Sequence, residues 1–237
     1  VLQTPANNQN GHTVDQQGRL IACEHRGRAV SRIEFDGTRK VLADAYQGKR
    51  FNSPNDVVEK SDGSIWFTDP TYGIDSEYEG DASPSEIGAS NVYRIDPDGA
   101  IELVVSDMVQ PNGLAFSPDE SLLYIADTGQ THVPDCTPRI RSYPVNPDGK
   151  TLGKGSDLCE CDAGLFDGFR VDTNGNIWSS AADGVHCYSS SGKLLGKILI
   201  DEVVANVCFG GPKRNRLFIC ATTTIRSIYV NAQGTSL

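Results

Sequence analysis

No stretch of this sequence approaches the ~20 consecutive apolar residues that a bilayer-spanning helix needs, so no membrane partner is expected. Basic residues are scarce as well: 21 Lys and Arg stand against 31 Asp and Glu, for a net charge of −10. A protein that neutralises phosphates needs clustered cations, and no basic run occurs, which argues against nucleic acid as a partner. The opening residues VLQTPANNQNGH hold neither a basic nor an apolar segment and do not read as a signal peptide. Paired histidines are missing, since His12, His25, His132 and His186 show no zinc-type spacing. The seven cysteines are odd in number and contain no CxxC. Cys159 and Cys161 form a CxC. No disulfide framework is therefore read, and a reducing compartment fits. A GxSxG nucleophile elbow and a Gly-rich phosphate loop are both absent, and helical periodicity is nearly so.

What is present is turn chemistry, with 24 Gly and 12 Pro, and a phrase that recurs five times. Its versions are VDQQGRLIACE from Val14, VVEKSDGSIWFTD from Val57, LAFSPDESLLYIAD from Leu114, FRVDTNGNIWSSA from Phe169 and VCFGGPKRNRLFICA from Val207. Each version is an apolar strand, a polar turn and a second apolar strand. Dipeptides such as Asp62-Gly63 and Asn174-Gly175 are those a hairpin favours. A further pair of alternating segments follows each phrase, so each repeat supplies four strands. The interval of ~40–55 residues is that of propeller blades. The expected architecture is an all-β propeller of four-stranded blades in a single domain over residues 1–237. The polar stretch TYGIDSEYEGDASPSEIGAS, residues 71–90, reads as a loop over one face.

The repeat allows equivalent positions to be compared. Two residues before the first apolar anchor of each phrase stand His12, Asn55, Asn112, Asp167 and Ala205. In a propeller the first strand of each blade is innermost, so these positions would line one mouth of the channel. Two carboxamides and one carboxylate are the hard oxygen ligands that Ca²⁺ takes, in an open shell that water or substrate completes. Taken singly, each is accounted for by an Asx turn; three at one offset point to a shared site. Asp69 and Asp127, at the ends of second strands, read as partners of neighbouring backbone. Trp66 and Trp178 read as packing residues between blades. Arg50, just before FNSPND, is a candidate for holding an oxyanion or a sugar hydroxyl.

The segments NGHTVDQQGRLIACEH, RFNSPNDVVEKSDGSIWFTDPTYG, PNGLAFSPDESLLYIADT and DGFRVDTNGNIW resemble bacterial gluconolactonases. These belong to the family of senescence marker protein-30 and luciferin-regenerating enzyme, related to diisopropyl fluorophosphatase. The resemblance implies a six-bladed propeller with one divalent ion, usually Ca²⁺ and otherwise Zn²⁺, Mg²⁺ or Mn²⁺, held by Glu, Asn, Asn and Asp. The two asparagines correspond to Asn55 and Asn112, and the aspartate to Asp167. The family's glutamate sits in an EGPVW-like phrase that has no counterpart here, so an N-terminal truncation by one blade is expected. The implied reaction is hydrolysis of a small-molecule sugar lactone such as glucono-1,5-lactone, with Asp167 as the catalytic carboxylate and His12 and Arg50 facing the substrate. The alternatives are a phosphotriesterase-like hydrolase using the same ion and a non-catalytic propeller that binds peptides or sugars.

Overall fold

A computed structural model describes residues 4–235 and is all-β, apart from one four-residue helix and one 3-10 turn. No helix among the described residues is long and apolar enough to cross a membrane. The chain forms two compact units, one running to Asn112 and the other starting at Gly113.

The first unit opens with the antiparallel sheet β1 (Gln9–Val14), β2 (Leu20–Glu24), β3 (Ala29–Ile33) and β4 (Arg39–Ala43). A short hairpin, β5 (Ala45–Tyr46) and β6 (Lys49–Arg50), follows it. The second sheet is β7 (Val57–Glu59), β8 (Ile65–Asp69), β9 (Asn91–Ile95) and β10 (Ile101–Val105), with helix α1 (Tyr72–Asp75) in the connection from β8 to β9. The second unit holds a sheet of β11 (Pro111–Phe116), β12 (Leu122–Asp127), β13 (Arg139–Pro144) and β14 (Ser156–Glu160). It continues with β15 (Phe169–Val171), β16 (Ile177–Ala181), β17 (Gly184–Tyr188) and β18 (Leu194–Leu199), then with β19 (Val204–Gly210), β20 (Arg216–Ala221) and β21 (Ile225–Tyr229). These five sheets are propeller blades, each running in chain order from one edge to the other. The first strand of every recurring phrase is an edge strand.

The fifth sheet shows three strands among the described residues, where the repeat led to an expectation of four. After β21 the chain turns back. Thr173 N donates to Gln233 O (2.8 Å), Gly234 N to Arg214 O (2.9 Å), and Asp172 and Gly234 form an isolated bridge. These contacts tie the β15–β16 and β19–β20 hairpins together.

The hairpins form because their turn residues satisfy backbone groups locally. Asp36, Asp62, Asp98 and Asp148 each accept from the amide two residues on, at 2.8–3.0 Å. The glycine between them takes a positive φ of 69–91°, where a side chain would be strained. Four of the 31 acidic residues thus serve turn chemistry. Alternate strand residues then fill the cores. In the first unit Phe51, Phe67 and Tyr93 meet at centroid distances of 5.0–5.6 Å. In the second, Trp178 of β16 packs edge-on against Phe209 of β19 at 5.9 Å, joining two blades. Trp66 is fully buried, donates to Ser64 Oγ (2.9 Å) and stacks under the Arg94 guanidinium.

Candidate functional site

Strand register decides which residues are equivalent. His12 pairs with Ala22, Val57 with Phe67, and Phe169 with Ser179. Each of these partners lies two residues before the last residue of its second strand (Glu24, Asp69 and Ala181). His12 therefore shares the position of Val57 and Phe169, and Asn10 shares that of Asn55 and Asp167. A bulge between Gln9 and His12 accommodates the extra length. The count from Val14 misplaced the position by two, because an alternating pattern repeats every two residues and hides an even shift. A signal was available: Asn10-Gly11 matches Asn112-Gly113 and Asp167-Gly168.

Backbone contacts between first strands support this alignment inside each unit. Gly11 N donates to Asn55 O (2.7 Å), and Gly168 N donates to Ala205 O (2.8 Å). A methyl on Gly11 would come within 2.5 Å of Asp56 Cα, one on Gly113 within 3.1 Å of Gly168 Cα, and one on Gly168 would enter the Asn206 carboxamide. Such approaches admit only glycine. At the matching place in the second sheet stands Asp56, and a hydroxyl fills the gap. Asp56 N donates to Thr68 Oγ1 (3.1 Å), which donates to Asn112 O (2.9 Å).

In the first unit Asn55 is 3% exposed, and its Nδ2 lies 3.3 Å from His25 Nε2. Asn10 Nδ2 lies at the same distance from the same nitrogen. The Asn52–Asn55 segment is held by Asp69, whose carboxylate accepts from Asn52 N and Ser53 N, both at 2.9 Å. Burial raises the Asp69 pKa to about 7; the two amides and the Arg28 charge act against that rise. Asp69 thus has the backbone-partner role expected of it, and Asp127 likewise accepts from Gly129 N (3.1 Å). His12 sits 3.3 Å from Gln9 Oε1. Burial lowers its pKa, while an Asn10 backbone bond and the Asp56 charge oppose the change. Asn112 is 7% exposed. Arg50 is exposed on β6, where its backbone N donates to Glu86 Oε2 (2.9 Å).

In the second unit Asp167 precedes β15, is half-buried, and donates its backbone N to Ser180 Oγ (3.0 Å). Among the described residues no group of three or more His, Cys, Asp and Glu side chains is arranged to hold a metal. The oxygen set read from the sequence is mostly carboxamide and lies outside that chemistry.

Sequence reasoning missed the residues that hold the 71–90 connection. Three residues at the β2–β3 turn reach it. His25 Nδ1 lies 3.3 Å from Glu79 Oε2, Arg26 Nε donates to Asp81 Oδ1 (2.9 Å), and Arg28 approaches Ser83 and Glu86. The EHRGR run in the sequence is their only local signal.

A family model described as "SMP-30/Gluconolactonase/LRE-like region" matches residues 1–223. The chain is 34% identical over 235 residues to the gluconolactonase of Zymomonas mobilis, covering 95% of this chain and 64% of that protein. It is 28% identical over 217 residues to pentonolactonase XacC of Haloferax volcanii, covering 88% of this chain and 65% of that one. It thus spans just under two thirds of the length of both relatives. The solved gluconolactonase XC5397 of Xanthomonas campestris is 36% identical with a TM-score of 0.89, covering 97% of this chain and 74% of its own. Another solved chain matches at 39% identity and a TM-score of 0.90, over 99% of this chain and 78% of its own. A luciferin-regenerating enzyme at 18% identity and a TM-score of 0.74, covering 97% of this chain and 81% of its own, shares the fold. With a family model matched over residues 1–223 and relatives of this identity, the chain belongs to the SMP-30/gluconolactonase/LRE-like family.

Proposed function

We propose that this protein hydrolyses an aldonolactone of the glucono-1,5-lactone type to the open aldonic acid, using a bound divalent cation, in the first instance Ca²⁺. The observation that carries the reading is the 34% identity to a gluconolactonase across 95% of the chain. The match to a pentonolactonase supports the same substrate class.

The donor chemistry fits the ion. Asn55, Asn112 and Asp167 offer two carboxamide oxygens and a carboxylate, which are hard ligands suited to Ca²⁺. Asn55 turns its Nδ2 to His25, and among the described residues no hydrogen bond reaches its Oδ1. When bound, the cation supplies polarisation of the lactone carbonyl and stabilisation of the oxyanion. The Asp167 carboxylate accepts the proton of the attacking water as the water oxygen adds to the carbonyl carbon. The ring C–O bond then breaks, and the departing oxygen takes up a proton to give the hydroxy acid. The substrate contact expected of His12 passes to Asn10, which shares the register of Asn55. Arg50 is the exposed cation available to a sugar hydroxyl.

A lactonase assay with metal titration tests this. Asp167→Asn keeps an oxygen but removes the charge and the base, and is expected to lower turnover by about 100-fold or more. Asn112→Ala removes a neutral ligand, so excess Ca²⁺ is expected to recover part of its rate. Full activity after exhaustive chelation, or unchanged specific activity and metal content in both variants, refutes the reading.

A further inference from the structure

His25 is 2% exposed, one residue past the end of β2, and three separate segments converge on its ring. Glu79 of the 71–90 connection approaches Nδ1, while Asn10 of β1 and Asn55 at the entry to β7 approach Nε2, all at 3.3 Å. The ring is clamped in place. A methyl on Gly73 of α1 would lie 2.5 Å from His25 Cβ and 2.6 Å from Ser53 Cβ, so the helix closes on it directly. Glu79 is also held by its neighbours, because Arg26 binds Gly80 O (3.3 Å) and Asp81 (2.9 Å).

These contacts determine where protons sit. An ionised carboxylate only accepts, so Nδ1 carries the hydrogen that faces Glu79. In the neutral imidazole Nε2 is then purely an acceptor, and both asparagines must present NH₂ to it. Their Oδ1 atoms are thereby turned to the opposite side. A carboxylate ligand offers oxygen at either end, but a carboxamide offers it at one end only and is useful to a cation or a polar substrate only if it cannot flip.

We propose that His25, oriented by Glu79, is a positioning residue that locks the carboxamides of Asn55 and Asn10 with their oxygens presented to the cation and the substrate. This rests on the reading of Asn55 as an oxygen ligand. His25 touches neither reacting atom; it acts through the two amides.

The test compares His25→Leu, His25→Gln, Glu79→Ala and Glu79→Gln with the unaltered protein, by calorimetry with CaCl₂ and by ¹⁵N NMR of the histidine ring and asparagine side chains without metal. Gln at position 25 offers Oε1 near the place of Nε2, and Gln at position 79 still accepts from Nδ1. The expected results are an Nδ1–H ring, and Asn10 and Asn55 amide resonances displaced in His25→Leu but held in His25→Gln. Ca²⁺ affinity is expected to fall by about 10–100-fold in His25→Leu, as for other outer-sphere supports of a metal site, with rescue in His25→Gln. Glu79→Ala should weaken Ca²⁺ and Glu79→Gln should not. Unchanged affinity and amide resonances in His25→Leu, or an Nε2–H ring, overturn the proposal. If the unaltered protein binds no Ca²⁺, the cation reading falls, while the ring and amide resonances still decide whether the pair positions the asparagines. Glu79 is 46% exposed, so Glu79→Ala carries the test should His25→Leu fail to fold.

Discussion

Gly11→Ala puts the close approach of neighbouring first strands to the test. The added methyl would meet Asp56 Cα and Oδ1 at 2.5 Å and Asn55 O closer still, all belonging to a neighbouring backbone or a short side chain. The strands must separate by roughly 1 Å to restore ordinary contact at 3.5 Å or more. That opens the 2.7 Å bond from Gly11 N to Asn55 O. Overpacking costs about 1–3 kcal/mol, and the lost hydrogen bond about 0.5–1.5 kcal/mol. The stiffer unfolded chain returns about 0.4–1 kcal/mol, for a net loss of about 0.5–4 kcal/mol. Gly196→Ala in β18 is the control, since nothing lies within 4 Å of its added carbon and its φ is not positive. It should be neutral or slightly stabilising. With an m-value of about 3 kcal/mol/M in urea, a 3 kcal/mol loss moves the unfolding midpoint by about 1 M. Asn55 would also be displaced, so on the proposed function Gly11→Ala should lose lactonase activity and Gly196→Ala should keep it. Equal urea midpoints for the two variants would show that the strand contact does not constrain the fold as argued.

Thr68→Val removes a hydroxyl that both accepts from Asp56 N and donates to Asn112 O, and should cost about 1–3 kcal/mol through unpaired buried backbone. Thr68→Ser keeps the relay, and equal denaturation midpoints for the two would argue against it. Glu24 is fully buried, and burial alone would raise its pKa. Two 2.6 Å bonds from Arg39, with bonds from Ser31 and Asn7, outweigh that effect and leave the pKa lowered from 4.5. A lowered carboxyl pKa gives stability that is fully present above the unfolded value and is lost as pH falls through the folded one. Glu24→Gln should therefore be less stable than the unaltered protein at pH 7, with the gap narrowing as urea melts are repeated towards pH 3. A gap independent of pH would mean that the pair contributes through packing and not through charge.

The blades were legible because their determinants are local. Alternating apolar residues define a strand face, and Asp62-Gly63 or Asp98-Gly99 closes its own turn with one carboxylate and one positive φ. The shared register of Asn55 and Asp167 was legible through their common offset, as were the backbone-binding Asp69 and the interblade Trp178. The position of Asn10 was not, because counting from Val14 errs by two residues, a shift that leaves an alternation of period two unchanged. Nor were the contacts after Tyr229, where Asp172 and Gly234 form an isolated bridge. The 71–90 segment reads as a loop from its composition alone, yet its anchors His25, Arg26 and Arg28 lie some fifty residues earlier. Sequence thus determined the strands, their turns and the family, since those depend on neighbours along the chain. Tertiary structure alone decided which asparagine faces the histidine and which carboxylate orients it, since such contacts depend on strand register and on distances between segments that no local pattern records.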